Sequence, residues 1–360
     1  MGHQEPELAT LDQVRALFDT AGTGGTLIVD EVLANAAPVV ALQSEHNLDM
    51  YVHSGEPKEA QVDAMASQIK ANDQRPVLAI GGGAVMDAAK AAASVAAGEY
   101  GAAHYQLGAH EMPMAKCKVV CVPTTSGTGS EVTRVSIVGD AQGNKKWMYG
   151  DALWPSHVLL MPTLTHSVPP AVKLFCGLDA MVHALEAATG KNSNPEIVAR
   201  AAQSIPTILD VLADSVAGDP EADRQMQLAS LHAGRAIDLG GTTIGHCLGH
   251  ALGTVCGVPH GKAVTLATQV TLETCVRATP GAFRDIEDAC DRGSMLDCWQ
   301  GLVERLGTSA FGFESGATDQ QILESALSDE NQPMRKTNVH WFDDDALADA
   351  ISALTRSYRH

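Results

Sequence analysis

Between Thr26 and about Leu160, short β-branched runs alternate with alanine-rich stretches, and this alternation limits the fold more than any other feature of the chain. Thr26–Val29, Met50–Val52, Val77–Ile80 and Val119–Val122 are strand-sized and bounded by Gly, Pro, Asp or polar residues. Lys58–Ala71 and Ala84–Ala97, lying between them, are helical in composition. Strand–helix–strand alternation predicts βαβ units and a mostly parallel sheet. From about Thr163 onward the β-branched runs nearly vanish, and Leu178–Ala188, Pro195–Ala213, Ala222–Leu239 and Ala346–Tyr358 predict helices. The proline-rich stretch from Met161 to Pro170 marks the boundary, so the expected division is an α/β domain over 1–162 and an all-α domain over 163–360.

With 24 basic against 43 acidic residues in 360, the chain has a formal net charge of -19. Such a surface repels phosphate backbones and anionic lipid, which argues against nucleic-acid and membrane partners. No run of 18 apolar residues occurs, and the first twenty residues are too acidic and too broken for a signal peptide. Met1-Gly2 begins like a myristoylation site, but His3-Gln4-Glu5-Pro6 does not complete the pattern. Eight scattered cysteines without a CxxC pair read as the reduced thiols of a cytoplasmic protein.

Four motifs carry chemistry. At 80–90 an apolar strand runs into Gly81, Gly82 and Gly83 and then into an alanine-rich helix; backbone can approach a ligand there, and free N–H groups at a helix start attract phosphate. The bland alternative is a plain strand-to-helix turn. Residues 122–133 also follow a strand and offer several hydroxyls, where a polar hairpin is the competing reading. On a helix at 177–186, Asp179 and His183 are four apart and emerge from one face, as two ligands of one metal or as a simple surface hydrogen bond. Lastly, His246, His250 and His260 place three of the fourteen histidines in an otherwise apolar stretch. Core histidines seldom cluster so, and imidazoles with one carboxylate suit Fe(II) or Zn(II). The other histidines read as surface or packing residues, and Asp343-Asp344-Asp345 as a solvated helix start.

Together these segments resemble the iron-containing (group III) alcohol dehydrogenase family: GGGAVMDAAK at 81–90, PTTSGTGSEVT at 123–133, GLDAMVHALEA at 177–187 and HCLGHALGTVCGVPHG at 246–261, in the family's order. The resemblance implies a Rossmann-like dinucleotide-binding domain followed by a helical domain (the dehydroquinate synthase-like fold), with metal and substrate in the cleft between them. Carried over by position, it implies Asp179, His183, His246 and His260 as metal ligands and His250 as a non-ligand histidine near the substrate that relays a proton. It implies that Gly81, Gly82, Gly83, Asp87, Thr124, Thr125 and Thr128 line the dinucleotide, and that Lys145 lies near the nicotinamide ribose. Asp30 or Glu31, after the first strand, would repel a 2′-phosphate and so favours NAD over NADP. The implied metal is Fe(2+) first and Zn(2+) second, and the implied assembly a homodimer.

The implied reaction is hydride transfer between nicotinamide and a small alcohol or aldehyde, with a hydroxy acid or semialdehyde within its range. An acid-terminated substrate needs a cation, for which Lys173, Lys191 and Lys262 are the candidates, Lys262 being nearest a ligand in sequence. Three other readings compete. Maleylacetate reductases share the fold but tend to have Asn at the first ligand position, against Asp179 here. A dehydroquinate synthase-like lyase needs a more basic cleft, and a non-catalytic metal- or nucleotide-binding protein would not need both motif sets intact. One departure from the family is Met161-Pro162, where many members have Asp-Pro.

Overall fold

The four β-branched runs all form strands, and each extends the expected segment by at most two residues at either end. The structure, a computed structural model, describes residues 5–20, 24–307 and 311–360; Met1, Gly2 and His3, read above for acylation and packing, lie outside the described residues. The chain divides into two compact units. One comprises the described residues up to Thr125 with Gly129–Thr165, and the other Ser126–Thr128 with His166–His360.

The first unit runs β1 (Glu7–Leu8), α1 (Leu11–Thr20), β2 (Gly25–Asp30), α2 (Ala37–His46), β3 (Leu48–His53), α3 (Glu59–Ala71), β4 (Val77–Gly81), α4 (Gly83–Ala97), β5 (Val119–Pro123), β6 (Val135–Gly139), β7 (Lys145–Tyr149) and β8 (His157–Val158). Six of these strands form a wholly parallel sheet in the order β1-β8-β5-β4-β2-β3. Its central strands β2, β4 and β5 are buried almost throughout and largely apolar because both faces are covered, whereas the edge strands β1 and β3 carry exposed residues. Side chains alternate: Ile28, Ala79 and Cys121 join a core that includes Val62, Met65 and Val85 of α3 and α4, while Leu27, Leu78, Ile80 and Val120 join one with Phe18, Val39 and Leu42 of α1 and α2. From β2 the chain steps outward to β3, then returns to the far side of β2 to lay down β4 and β5. That reversal puts the carboxyl ends of β2, β4 and β5 side by side, the place where open α/β sheets bind ligands. The antiparallel pair β6–β7 was not expected from the sequence. Its turn is closed by Asp140, whose carboxylate accepts from the Gln142 and Asn144 amides.

The second unit holds α5 (Pro170–Thr189), α6 (Pro195–Ala217), α7 (Pro220–Gly240), α8 (Ile244–Cys256), α9 (His260–Ala278), α10 (Pro280–Cys290), α11 (Met295–Leu306), α12 (Asp319–Ala326), α13 (Gln332–Thr337) and α14 (Asp344–Tyr358). Proline opens α5, α6, α7 and α10, where a missing N–H costs nothing, and Asn194 and Asp219 cap α6 and α7. Asp343 caps α14 by accepting from the Ala346 amide, in keeping with the acid run as a helix start. Residues 177–188 of α5 are buried without exception, because α6, α7 and α9 pack around this helix. Close approach is enabled by glycine: a Cβ on Gly249 of α8 would stand 2.8 Å from Val264 Cγ2 of α9. Among the described residues no helix is long and apolar enough to cross a membrane, and none of the eight cysteines is in a disulfide.

One buried ion pair ties α5 to α7. Lys173 Nζ donates to both Asp223 oxygens at 2.7 Å, and Asp223 also accepts from Ser215 Oγ at 2.7 Å and meets His166 Nδ1 at 2.9 Å. Burial alone would raise the Asp223 pKa, but these donors outweigh it and hold the carboxyl below its ordinary 3.8. A lowered folded-state pKa adds stability that is complete above the unfolded value and disappears as pH falls through the folded one. Asp223→Asn, which leaves the Lys173 charge buried and unpaired, is expected to cost about 3 kcal/mol at pH 7. The gap from wild type should narrow below about pH 4, as urea melts at pH 7 and pH 3 would register. A gap that is the same at both pH values would contradict this account of the pair.

Candidate functional site

Two groups of side chains stand out, one in each unit. In the second unit, α5 carries Asp179 and, one turn later, His183; α8 carries His246, and His260 is the first residue of α9. One ligand atom from each of the four lies within 4.8 Å of every other. Asp179 Oδ1 is 3.4 Å from His246 Nε2, 3.6 Å from His260 Nε2 and 4.0 Å from His183 Nε2. Four donors about 2.1 Å from a shared ion would stand roughly 3.4 Å apart in a tetrahedron, so the spacing fits a divalent transition metal.

The hydrogen bonds support the same fit. Asp179 Oδ1 and His246 Nε2 are buried and have no hydrogen-bond partner, a costly arrangement unless something between them accepts their lone pairs. The far side of each ring is held instead: His183 Nδ1 meets the Gly127 carbonyl at 3.1 Å, and His246 Nδ1 meets Glu186 Oε2 at 2.7 Å. A proton on each Nδ1 leaves both Nε2 atoms free to ligate, the arrangement typical of metal-binding histidine. Asp179, His183 and His246 are buried, whereas the His260 side chain is 25% exposed, so the centre opens on the His260 side. His250 is half-buried on that same side, its ring centroid 5.2 Å from that of His260.

Charge follows from these contacts. Burial would raise the Asp179 pKa, but His183, His260 and His246 overcome it and hold the carboxyl well below the usual range. Burial likewise opposes charge on His246, yet Glu186 and Asp179 push that imidazole up to about 9. Desolvation wins at His183, whose pKa is lowered. The pocket thus stabilises positive charge beside Asp179, and a cation at the Nε2 atoms would take the place of a proton.

In the first unit, Asp30, Gly81, Gly82, Gly83, Thr124 and Thr125 of the expected cofactor residues gather at the carboxyl ends of β2, β4 and β5, whereas Asp87, Lys145 and Thr128 lie elsewhere. Gly81 pairs with Pro123, the Thr124 amide donates to the Gly81 carbonyl at 3.0 Å, and Thr125 Oγ1 would lie 3.3 Å from a Cβ on Gly82. Gly82 caps α4, so the helix start faces this loop pair. Asp30 ends β2, where its Oδ1 accepts from the Val32 amide at 3.2 Å. Asp87 has both oxygens engaged inside the unit: Oδ1 accepts from Ser130 Oγ at 2.5 Å and Oδ2 from the Ile137 amide at 2.9 Å. Lys90, fully buried, donates to the carbonyls of Ser130, Thr133 and Val135. The two side chains latch residues 130–137 onto α4. Lys145 is ion-paired with Glu56 at 2.9 Å, and Thr128 lies in the second unit next to Gly127.

Three lysines expected as anchors for an acidic substrate have other partners. Lys262 Nζ donates to the Gly312 carbonyl at 2.6 Å and lies over the Phe311 ring, Lys191 donates to the Lys336 carbonyl at 2.8 Å, and Lys173 is buried against Asp223. Lys262, the candidate nearest a ligand in sequence, thus has its ammonium engaged by a backbone carbonyl. Sequence reasoning also passed over Glu186, although an acid three residues after His183 in an otherwise apolar run was a signal.

Comparison with known proteins agrees with this layout. Residues 7–162 match the family model described as iron-containing alcohol dehydrogenase, and residues 173–308 match its partner, the C-terminal region of the Fe-containing alcohol dehydrogenase family. The probable alcohol dehydrogenase EutG of Escherichia coli (strain K12) is 32% identical over 285 residues, which take in 75% of this chain and 72% of EutG. The 1-propanol dehydrogenase PduQ of Salmonella typhimurium is 33% identical over 71% of this chain, a match spanning 64% of its own length. Among solved structures, the sulfoacetaldehyde reductase of Bifidobacterium kashiwanohense in complex with NAD+ superposes with a TM-score of 0.82 at 26% identity, covering 98% of each chain.

The centre makes a direct forecast. Wild type stripped of metal should gain up to about 4 kcal/mol when Zn(2+) is supplied at a thousand times its Kd, whereas Asp179→Asn should gain little and should melt no lower than stripped wild type. Calorimetry with and without the ion checks both. An equal gain in the two proteins would mean that the ion binds elsewhere.

Proposed function

The chain belongs to the iron-containing alcohol dehydrogenase family and is an NAD-linked alcohol and aldehyde oxidoreductase, and from this we propose how its residues divide the work. Asp179, His183, His246 and His260 hold one divalent metal, iron before zinc. Gly81, Gly82, Gly83, Thr124 and Thr125 receive the dinucleotide, with the first unit as the cofactor domain and the second as the metal and substrate domain. The single observation that carries the reading is the convergence of four ligand atoms with two of them buried and unpartnered.

When bound, the metal supplies Lewis-acid polarisation of the substrate oxygen. Everything else belongs to the chain. Buried Asp179 would offset one of the two charges of a divalent ion, and the Gly127 and Glu186 acceptors hold the direction of the His183 and His246 rings. Half-buried His250 is placed to pass the hydroxyl proton outward past His260, since its ring neighbours that ligand and reaches toward solvent. Asp87 and Lys90 position the cofactor loop from behind rather than touching the dinucleotide. Asp30 at the end of β2 disfavours a 2′-phosphate, which supports NAD over NADP. Small primary alcohols and aldehydes are the substrate class, eight cysteines outside any disulfide support a cytoplasmic enzyme, and a homodimer is the assembly we expect of it.

The glycine loop separates binding from folding. A Cβ on Gly81 would stand 2.5 Å from Val85 Cγ2 within α4, so Gly81→Ala should lower the melting temperature. A Cβ on Gly82 would meet only the Thr125 side chain, nowhere nearer than 3.3 Å. Gly82→Val should therefore melt near wild type and lose at least about tenfold in NAD(H) affinity, because its side chain fills the space at the helix start that the pyrophosphate needs. Fluorescence titration of NADH with both variants, alongside an absorbance assay of NADH oxidation on a panel of aldehydes, checks the reading. Unchanged NADH affinity in folded Gly82→Val, or no turnover of any aldehyde by metal-loaded wild type, would overturn it.

A further inference from the structure

Glu186 lies two turns after Asp179 on α5, is buried, and is not one of the four converging ligands. Its carboxylate nevertheless gathers four N–H groups of one short segment. Oε2 accepts from the Thr243 amide and meets His246 Nδ1, each at 2.7 Å, while Oε1 accepts from the Gly245 amide at 2.7 Å and the His246 amide at 3.4 Å. These amides are the first N–H groups of α8 and the residue before it, which have no carbonyl partner within the helix. Thr243 makes no side-chain cap of its own. The acid that caps α8 thus comes from α5, 57 to 60 residues away.

Packing locks the carboxylate in place. A Cβ on Gly245 would stand 2.8 Å from Glu186 Oε1 and 2.7 Å from Thr268 Oγ1, so the absence of a side chain there leaves the room that Glu186 occupies.

We propose that Glu186 is a positioning residue for the metal centre: by accepting the Nδ1 proton of His246 while capping α8, it fixes both the tautomer of that ligand and the placement of the helix that carries it. The proposal rests on the metal-site reading above. Its physical content is that one carboxylate couples the two elements that supply three of the four ligands, α5 and α8. Without it, His246 is free to turn and to place its proton on Nε2, which cannot then ligate. Loss of such an outer partner commonly weakens metal affinity about 10- to 100-fold.

The test uses the full chain, wild type and Glu186→Gln, loaded with Co(2+) or Zn(2+). An amide of the same shape cannot satisfy all four N–H groups, because its nitrogen donates. Metal dissociation constants come from competition with a chromophoric chelator, and the ligand-field absorption of bound Co(2+) reports coordination at the ion itself. Melting curves of the stripped proteins give the structural cost separately. Expected are about 10- to 100-fold weaker binding by Glu186→Gln and an altered cobalt spectrum, in excess of any loss traceable to partial unfolding. Should Glu186→Gln not fold, Gly245→Ala replaces it, since the added methyl displaces the carboxylate without changing its charge, and the same two readouts are expected to move. Unchanged affinity and spectrum in a folded variant would overturn the role of Glu186 while leaving the centre intact. Failure of wild type itself to bind one ion per chain would instead remove the reading on which the proposal stands.

Discussion

A carboxylate buried in the middle of a helical unit, with one oxygen left unpartnered, is the arrangement on which the rest of this structure turns. Asp179 is 2% exposed and faces three imidazoles, two of which are themselves buried or nearly so. Isolated in an apolar core, such a charge costs several kcal/mol, more than many domains can spare from their net stability. The surrounding helices respond in a consistent way. Rings are turned so that their Nδ1 atoms meet Gly127 and Glu186, and their Nε2 atoms point at Asp179. Glycines at 245 and 249 let α8 sit close enough to α5 and α9 to hold this geometry. The arrangement makes sense as a seat for a cation, and it is otherwise a standing cost.

The first unit solves a different problem with different means. Under the proposed division of work, a nucleotide's phosphates would need close backbone and helix-start N–H groups rather than buried charge, which the turn from β4 into α4 offers. Here the ionisable residues serve the loops from behind. Lys90 is fully buried, and it is tolerated because three carbonyls and the nearby Asp87 surround its Nζ. That latch fixes residues 130–137, which follow the threonine-rich loop.

Much of this was legible in the sequence, for identifiable reasons. Parallel strands buried on both faces read as continuous apolar runs, and the Asp179/His183 pair and the histidine cluster are local patterns on helices. What stayed hidden depends on contacts between distant segments. The partner of Lys262, the Gly312 carbonyl, is fifty residues away and could not be read locally. Asp87 was expected to line the dinucleotide, and only the placement of Ser130 and Ile137 against it shows both of its oxygens engaged within the unit. The β6–β7 pair was missed because Val135–Gly139 follows directly on the threonine-rich loop, and Lys145–Tyr149 is too polar to read as a strand. Glu186 was visible as an acid in an apolar helix, but its partners at 243–246 are a tertiary fact.

The central claim is that four side chains of one helical unit hold a single metal ion. Crystals of the protein purified without chelator, with diffraction recorded above and below the iron and zinc absorption edges, test it most directly. The account predicts one anomalous peak per chain, within about 2.0–2.3 Å of Asp179 Oδ1 and of the Nε2 atoms of His183, His246 and His260. A peak bound by other residues, or a centre that stays without one after soaking in Fe(2+) and Zn(2+), would contradict it.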